Sequence, residues 1–269
     1  MADVTRVLLD RYDRFVFDLD GTIWRGTTLL PHAADVLAEV RRRGVPVAFL
    51  TNNGSRSGRE VSETLRGAGI EAAPEHVVTS GRASRRLLED RGLGGRTCFV
   101  VGSAGLREEL EPLGLRFLDE ADGERADVVV VTRDEEFTYG RLRAASRAIA
   151  RGAFFAATNP DPTFPVEDGF WPGGGSIVAA VRAASGGAEP VYAGKPERPM
   201  LEEAERAIGG PDGRTLLVGD RPASDLESAR RMGWAGALVL TGVTDDPDPI
   251  DPPPDVVLKD LSDLLSGAG

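Results

Sequence analysis

The sequence predicts an α/β fold in which parallel sheets carry helices on both faces. Short apolar runs of strand length alternate with segments whose apolar residues recur at helical spacing. Hairpin signals are few, and parallel strands need such crossover connections. The residues between about 82 and 187 have strands and helices of their own. We therefore predict a Rossmann-like parallel-sheet core, residues 1–81 and 188–269, with an inserted α/β domain, residues 82–187.

The predicted core has its elements in regular order. Its strands are expected at residues 15–17, 45–50, 215–218, 237–240 and 256–258. Its helices are expected at about residues 32–43 and 57–66, from residue 199 onward, and ending near residue 232. After the insert the core resumes at Pro190, in the run that leads to Lys195. Residues 244–255 are rich in Asp and Pro and predict an exposed loop.

The predicted insert repeats the same alternation. Its strands are expected at residues 97–101, 115–118, 127–132 and 153–157. Its helices are expected at about residues 104–111, 138–151 and 176–185, and Gly186 with Gly187 ends the last of them. The insert is therefore predicted to be an α/β domain in its own right.

Composition and charge exclude several classes of protein. The net charge of −11 and the pI of about 4.8 argue against a nucleic-acid or membrane binder, which would show a basic field. The single cysteine, Cys98, lies in an apolar run and is predicted to be a buried core residue. The N-terminal segment has no apolar stretch of signal-peptide length. A cytoplasmic setting is expected.

Two acids separated by one residue follow the first predicted strand. Asp18 and Asp20 point the same way from an extended backbone, because side chains two residues apart share a face. Gly21 lets the chain turn at once. Clustered carboxylates favour a hard divalent cation such as Mg²⁺, and a carboxylate beside such a metal can attack phosphorus. The alternative is a strand-ending turn that uses Asp and Gly for turn chemistry.

Polar clusters follow four predicted strands of the core. They are Asp18 with Asp20, Thr51 with Asn52, Lys195, and Asp220 with Asp225. In a parallel sheet these strand ends share one edge. Taken singly, each cluster also fits a turn, an exposed lysine or a surface ion pair. Taken together they supply a nucleophile, an acid/base, donors, a cation and metal ligands, which is what phosphoryl transfer from a monoester needs.

The order and spacing of these motifs resemble the haloacid dehalogenase (HAD) superfamily of aspartate-dependent phosphohydrolases. The resemblance implies that Asp18 is the nucleophile that becomes aspartyl-phosphate. It implies that Asp20 is the general acid for the leaving alcohol and later the base for water. Thr51 would donate its hydroxyl to the phosphoryl group, and Asn52 and Asn53 would bind substrate beside it.

The resemblance also implies the cation and the metal site. Lys195 would neutralise charge on Asp18 and on the phosphoryl oxygens. Mg²⁺ would be bound by the carboxylates of Asp18 and Asp220 and by the backbone carbonyl of Asp20, and Asp225 would support the metal or its waters. Acids at both 18 and 20 favour a phosphatase, because the dehalogenases of the family lack the second acid.

The position of the insert resembles the large α/β-cap (class IIA) branch, which includes p-nitrophenylphosphatase-like, phosphoglycolate phosphatase-like, glycerol-3-phosphate phosphatase-like and NagD-like members. Residues 158–161 and 172–176 resemble the loop that closes over the active site of that branch. Asn159 and Asp161 are therefore candidate contacts to the leaving group, with Asx-turn chemistry as an equal alternative. The implied substrate is a small phosphorylated metabolite. The branch is often dimeric through its caps, which implies a homodimer.

Three other functions remain open at this point. A phosphotransferase or mutase would pass the phosphoryl group to a second alcohol instead of water. A catalytically silent binding module could use the same fold, although the intact acids and Lys195 count against it. A dinucleotide-dependent dehydrogenase is disfavoured, because no G-x-G-x-x-G pattern follows the first predicted strand.

Overall fold

The structure is a computed structural model that describes residues 7–166, 169–244 and 250–266. The chain divides into two compact units. Unit 1 comprises the residues up to Thr51, Val61–Val78 and the residues from Leu201 onward. Unit 2 comprises Asn52–Glu60 and Thr79–Met200. Residues 1–6 of the N-terminal segment and residues 245–249 of the predicted loop 244–255 lie outside the described residues.

The described residues form fifteen strands and eight α-helices. The strands are β1 (Arg14–Asp18), β2 (Trp24–Arg25), β3 (Thr28–Leu29), β4 (Val47–Thr51), β5 (Val77–Thr79), β6 (Thr97–Val101), β7 (Arg116–Phe117), β8 (Val128–Val131), β9 (Phe154–Ala157), β10 (Thr163–Val166), β11 (Gly169–Pro172), β12 (Val191–Tyr192), β13 (Thr215–Gly219), β14 (Ala235–Val239) and β15 (Val256–Leu258). The helices are α1 (Ala33–Arg42), α2 (Gly58–Gly67), α3 (Ser80–Asp90), α4 (Ala104–Leu110), α5 (Tyr139–Ala150), α6 (Gly174–Ala184), α7 (Arg198–Ala207) and α8 (Glu227–Met232). None of these helices is long and apolar enough to cross a bilayer.

Unit 1 is built on a six-stranded sheet in the order β15-β14-β13-β1-β4-β5. β1 pairs in parallel with β13 on one side and with β4 on the other. All five residues of β1 are buried, as expected for a central strand of a parallel sheet covered on both faces. Phe15, Phe17 and Phe49 stack in sequence at centroid distances of 5.9 and 6.4 Å. The central strands are thus anchored in the core, and their carboxyl ends are held in register.

Unit 2 contains a second sheet of five parallel strands in the order β12-β9-β8-β6-β7. β8 consists of four valines, all buried. Cys98 in β6 is buried, as predicted, and burial raises the pKa of its thiol to about 12. The two parallel sheets confirm the predicted α/β class. The sequence did not predict four features, namely the short strand β5, helix α3 and the two-stranded hairpins β2–β3 and β10–β11.

The two compact units divide the chain at other places than the sequence predicted. The segment after Pro190 was assigned to the core, but β12 pairs in parallel with β9 of unit 2. The predicted boundary at residue 82 falls inside α3, whose N-cap Thr79 accepts a hydrogen bond from the Arg82 N–H. The two compact units divide the chain at residues 51/52, 60/61, 78/79 and 200/201. As a result Lys195 lies in unit 2.

A buried glutamate in unit 2 makes a testable contribution to stability. Glu109 of α4 is 8% exposed and accepts a 2.6 Å hydrogen bond from the Gly58 N–H at the start of α2. Burial raises the pKa of Glu109 above its ordinary value of 4.5, although this hydrogen bond opposes the shift. Its contribution to stability is therefore complete below about pH 4.5 and is lost as the pH rises through the raised pKa.

We expect Glu109→Gln to gain stability relative to the wild type as the pH rises from about 4.5 toward neutral, because glutamine keeps an acceptor for Gly58 without a buried charge. Urea unfolding across this pH range measures the difference. Glu108→Gln is the matched control with the opposite sign, because hydrogen bonding to Arg59 lowers the pKa of Glu108. A Glu109→Gln difference that does not vary with pH would contradict the assignment.

Candidate active site

Three buried acids of unit 1 converge on one point. Asp18 ends β1, Asp220 follows β13, and Asp225 lies in the π-helical turn Pro222–Leu226 that leads into α8. One carboxylate oxygen from each acid lies within 4.8 Å of the other two. Buried negative charges at this separation repel one another unless a cation joins them. Three carboxylates are a donor set of the kind that Mg²⁺ prefers, so the residues fit the predicted metal.

Main-chain donors hold two of these acids in place. The Val243 N–H donates to Asp220 Oδ2 at 2.6 Å, and the Arg221 N–H donates to Asp225 Oδ2 at 3.0 Å. Charge-assisted bonds of this kind are stronger than neutral ones, so they fix the direction of these two carboxylates. Val243 was not predicted from the sequence, because a main-chain donor leaves no signal in the residue type.

Glycines allow the backbone to approach the acids closely. A Cβ atom at Gly242 would lie 1.9 Å from Asp220 Oδ2, and one at Gly21 would lie 2.3 Å from the same atom. Gly21 also has a φ of +96°, which disfavours other residues. A Cβ atom at Gly219 would lie 2.3 Å from the Asp225 carboxyl carbon. Gly242 was not singled out in the sequence, although a glycine soon after a predicted strand at this sheet edge was an available signal.

Asp20 has partners of a different kind. Trp24 Nε1 donates to Asp20 Oδ1 at 3.0 Å, and Thr51 Oγ1 donates to Asp20 Oδ2 at 3.1 Å. Thr51 ends β4, the neighbour of β1, so the two strand ends bring the hydroxyl to the carboxylate. The structure therefore brings Asp20 and Thr51 together, and Trp24 is an additional contact. A carboxylate that is held at both oxygens is oriented for proton transfer.

Within unit 2, the Asn52 side chain binds the main chain of Lys195. Asn52 Oδ1 accepts a 2.7 Å hydrogen bond from the Lys195 N–H, and Asn52 Nδ2 donates to the Lys195 carbonyl at 3.2 Å. Lys195 is 3% exposed. A Cβ atom at Gly194 would lie 2.6 Å from Asn52 Oδ1, so the glycine is needed for this contact. Asn52 thus holds the backbone that carries the lysine.

The other predicted substrate contacts of unit 2 form hydrogen bonds within that unit. Asn53 Oδ1 accepts from the Ser55 N–H at 3.0 Å. Asn159 Oδ1 accepts from the Asp161 N–H at 3.0 Å, and Asn159 Nδ2 donates to the Asn52 carbonyl at 2.6 Å. The bond between Asn159 and the Asp161 N–H is the Asx-turn contact that the sequence left open as an alternative for these two residues. Asp161 Oδ2 accepts a 3.3 Å hydrogen bond from Asn52 Nδ2, so Asn52 connects these turns to the Lys195 segment.

Comparison with known proteins gives consistent similarities. The profile of a family described as haloacid dehalogenase-like hydrolase matches residues 15–116, and one described as HAD-hydrolase-like matches residues 192–264. The 5'-nucleotidase YutF of Bacillus subtilis (strain 168) is 37% identical over 233 residues, which cover 87% of this chain and 89% of that protein. An acid sugar phosphatase of Staphylococcus aureus (strain MRSA252) is 33% identical over 260 residues, which cover 96% of this chain and 98% of that protein.

Solved structures agree with these sequence matches. The crystal structure of a glycerol phosphate phosphatase from Mycobacterium tuberculosis in complex with magnesium aligns with a TM-score of 0.86 and 35% identity. The alignment covers 97% of this chain and 78% of that chain. The similarity in sequence and in structure therefore extends over nearly the whole chain described above.

Proposed function

This chain belongs to the haloacid dehalogenase-like hydrolase family, and from that membership we propose that it hydrolyses small phosphomonoesters through an aspartyl-phosphate on Asp18. It is a phosphoric monoester hydrolase of the large α/β-cap branch. The observation that carries the proposal is the buried convergence of Asp18, Asp220 and Asp225. With Asp20 held in place by Thr51, unit 1 offers both a nucleophile and an acid/base.

Mg²⁺ is the proposed cofactor, in keeping with the magnesium complex of the similar mycobacterial phosphatase. The carboxylates of Asp18, Asp220 and Asp225 and the backbone carbonyl of Asp20 would hold it. When bound, Mg²⁺ neutralises the charge of the acids and of the phosphoryl oxygens. The side chains of the protein then orient the substrate and transfer the protons.

The proposed reaction has two steps that use Asp18 and Asp20 in turn. An Asp18 carboxylate oxygen forms a bond to phosphorus while the ester P–O bond breaks, and Asp20 gives its proton to the departing alcohol. Asp20 then takes a proton from water, whose oxygen attacks the same phosphorus and releases phosphate from Asp18. At the end of the cycle Asp20 carries a proton again and Asp18 is free of the phosphoryl group.

The remaining predicted residues have supporting roles in this proposal. Lys195 is the cation that offsets negative charge on Asp18 and on the phosphoryl oxygens, and Thr51 is a hydroxyl donor to them. Asn52 and Asn53 directly follow Thr51 in the chain and are proposed to bind the phosphoryl end of the substrate. We propose that Asn159 and Asp161 contact the leaving group in addition to the hydrogen bonds that they form within unit 2.

A panel of phosphomonoesters tests the proposal. The names of the similar proteins span nucleotide, acid sugar and glycerol phosphates, so the panel includes one of each together with p-nitrophenyl phosphate. We expect phosphate release that requires Mg²⁺ and stops with EDTA. Addition of a second alcohol distinguishes transfer from hydrolysis, because a phosphotransferase or mutase would form a new ester. No release and no transfer from any substrate, with the protein folded, would favour the silent binding module.

The cytoplasmic setting and the homodimer stay predictions. Sedimentation of the purified chain measures the oligomeric state directly.

Gly242 provides a test of the metal site that does not alter a ligand. Gly242→Ala would place a Cβ atom 1.9 Å from Asp220 Oδ2 and displace that carboxylate. We expect the Mg²⁺ concentration for half-maximal phosphate release to rise ~10–100-fold, the usual cost of disturbing a group that orients a metal ligand. Gly67→Ala is the control, because nothing lies within 4 Å of a Cβ atom there. Unchanged Mg²⁺ dependence in Gly242→Ala would contradict the assignment of Asp220.

A further inference from the structure

Trp24 is the one described aromatic residue that bonds to the proposed acid/base. Its indole Nε1–H donates to Asp20 Oδ1 at 3.0 Å, while the other carboxylate oxygen, Oδ2, receives the Thr51 hydroxyl at 3.1 Å. All three residues belong to unit 1. The two oxygens of Asp20 therefore face chemically different neighbours.

The position of Trp24 is strongly constrained by its surroundings. The side chain is 7% exposed and belongs to the hydrophobic core of unit 1. Its backbone N–H donates to the Leu19 carbonyl at 3.1 Å, and its carbonyl accepts from the Gly21 N–H at 2.7 Å. Trp24 also pairs with Leu29 across the β2–β3 hairpin. The indole N–H therefore has little freedom to move away from Asp20.

The donor chemistry of these neighbours determines where Asp20 can carry a proton. An indole N–H donates and cannot accept, whereas a threonine hydroxyl can do either. When Asp20 is protonated, a proton on Oδ1 would face the indole hydrogen and would lack an acceptor there. A proton on Oδ2 keeps the Trp24 bond intact, and the Thr51 hydroxyl can rotate away or accept.

We infer that Trp24 is a positioning residue of the reaction, which directs the transferable proton of Asp20 to Oδ2 and fixes the direction of that oxygen. This inference rests on the proposed function, in which Asp20 protonates the leaving group. As the Asp18–phosphorus bond forms and the ester P–O bond breaks, the proton moves from Asp20 Oδ2 to the alcohol oxygen. The electron pair of the broken bond stays on that oxygen.

The leaving group provides the test. An alkoxide needs the proton of Asp20 to depart, whereas p-nitrophenolate departs as a stable anion. We expect Trp24→Phe to lower kcat/KM for glycerol phosphate by ~10²-fold or more, as loss of positioned general acid catalysis does. For p-nitrophenyl phosphate the loss of kcat/KM should be smaller, less than about one tenth of that factor. kcat/KM is the correct measure, because it covers the steps up to departure of the alcohol and excludes hydrolysis of the aspartyl-phosphate.

Two further comparisons separate positioning from general damage. Asp20→Ala removes the acid itself, so adding Trp24→Phe to Asp20→Ala should leave the ratio of the two kcat/KM values unchanged. Trp234→Phe, in the same unit, is the matched control and should leave both values near those of the wild type. Trp24→Met, a flexible apolar side chain without an N–H donor, is used if the phenylalanine variant unfolds in a thermal melt.

The outcomes are distinct. A selective loss for glycerol phosphate that disappears in the Asp20→Ala background supports the inference. Equal losses for both substrates, or a further change of the ratio in the double variant, would overturn the inference and leave the proposed function standing. Inactivity of the wild-type protein toward both substrates with Mg²⁺ would instead overturn the proposed function.

Discussion

Replacement of Asp18 by asparagine is expected to reduce phosphate release by ~10⁴-fold or more, the scale on which loss of a covalent nucleophile acts. The amide has nearly the shape of the carboxylate but is a poor nucleophile. Asp18 is 6% exposed and ends the fully buried strand β1, so the shape is kept where packing requires it. Phosphate release from the substrate panel, with Mg²⁺ and with EDTA, measures the effect.

The same variant should change stability in opposite directions with and without metal. Asp18 is one of three acids whose oxygens lie within 4.8 Å of one another, so removing its charge relieves repulsion in EDTA and should raise the Tm. In Mg²⁺ the variant should gain less Tm than the wild type does, because a weaker ligand set gives less stabilisation by binding.

The control for both effects is Asp35→Asn on the exposed face of α1, which should change neither activity nor the response to metal. An Asp18→Asn protein with near-normal turnover would contradict the assignment of the nucleophile. A Tm in EDTA that is lower for Asp18→Asn than for the wild type would contradict the charge repulsion described above.

Lys195→Ala is expected to lower kcat/KM by ~10²–10³-fold, the usual cost of losing one preorganised group that stabilises transition-state charge. The Asn52 side chain forms its hydrogen bonds with the main chain of Lys195, so the substitution should leave these bonds in place. The loss is therefore expected from the missing charge and not from a displaced loop. Steady-state kinetics with p-nitrophenyl phosphate and glycerol phosphate measure it.

The chain provides close controls for this experiment. It contains only two lysines among 32 basic residues, Lys195 and the exposed Lys259. Lys259→Ala should leave kinetics unchanged. Lys195→Arg keeps the charge but puts a planar group in place of a compact ammonium at a position that is 3% exposed, so we expect it to recover only part of the activity. Near-normal turnover in Lys195→Ala would refute the role assigned to this lysine.

The α/β class and the acids of the site were predictable from the sequence because they depend on local pattern. A central strand of a parallel sheet is buried on both faces, so β1 appears as a continuous apolar run, and β8 likewise. Asp18 ends β1, Asp220 and Asp225 come after β13, and the sheet brings these strand ends to one edge. The convergence of these acids therefore needed no knowledge of side-chain packing.

Strand partners and the divisions between the units were not predictable in the same way. β12 is a two-residue strand, too short for a periodic signal, and only its pairing with β9 assigns it to unit 2. α3 continues through the predicted boundary at residue 82, because Thr79 caps it upstream of that point. Hydrogen bonds across the sheet decide the membership of such segments.

By itself, then, the sequence determined the α/β class, the four motifs and the acids that fit Mg²⁺, because each depends on residue type and strand-end position. Tertiary structure alone decided how the acids are held. Val243 donates to Asp220 across 23 positions of sequence, and Asn52 binds the Lys195 main chain across 143 positions. The indole of Trp24 is four positions from Asp20, yet core packing directs it there. Main-chain donors, close glycine contacts and side-chain directions arise when distant segments pack, and no single residue type specifies them.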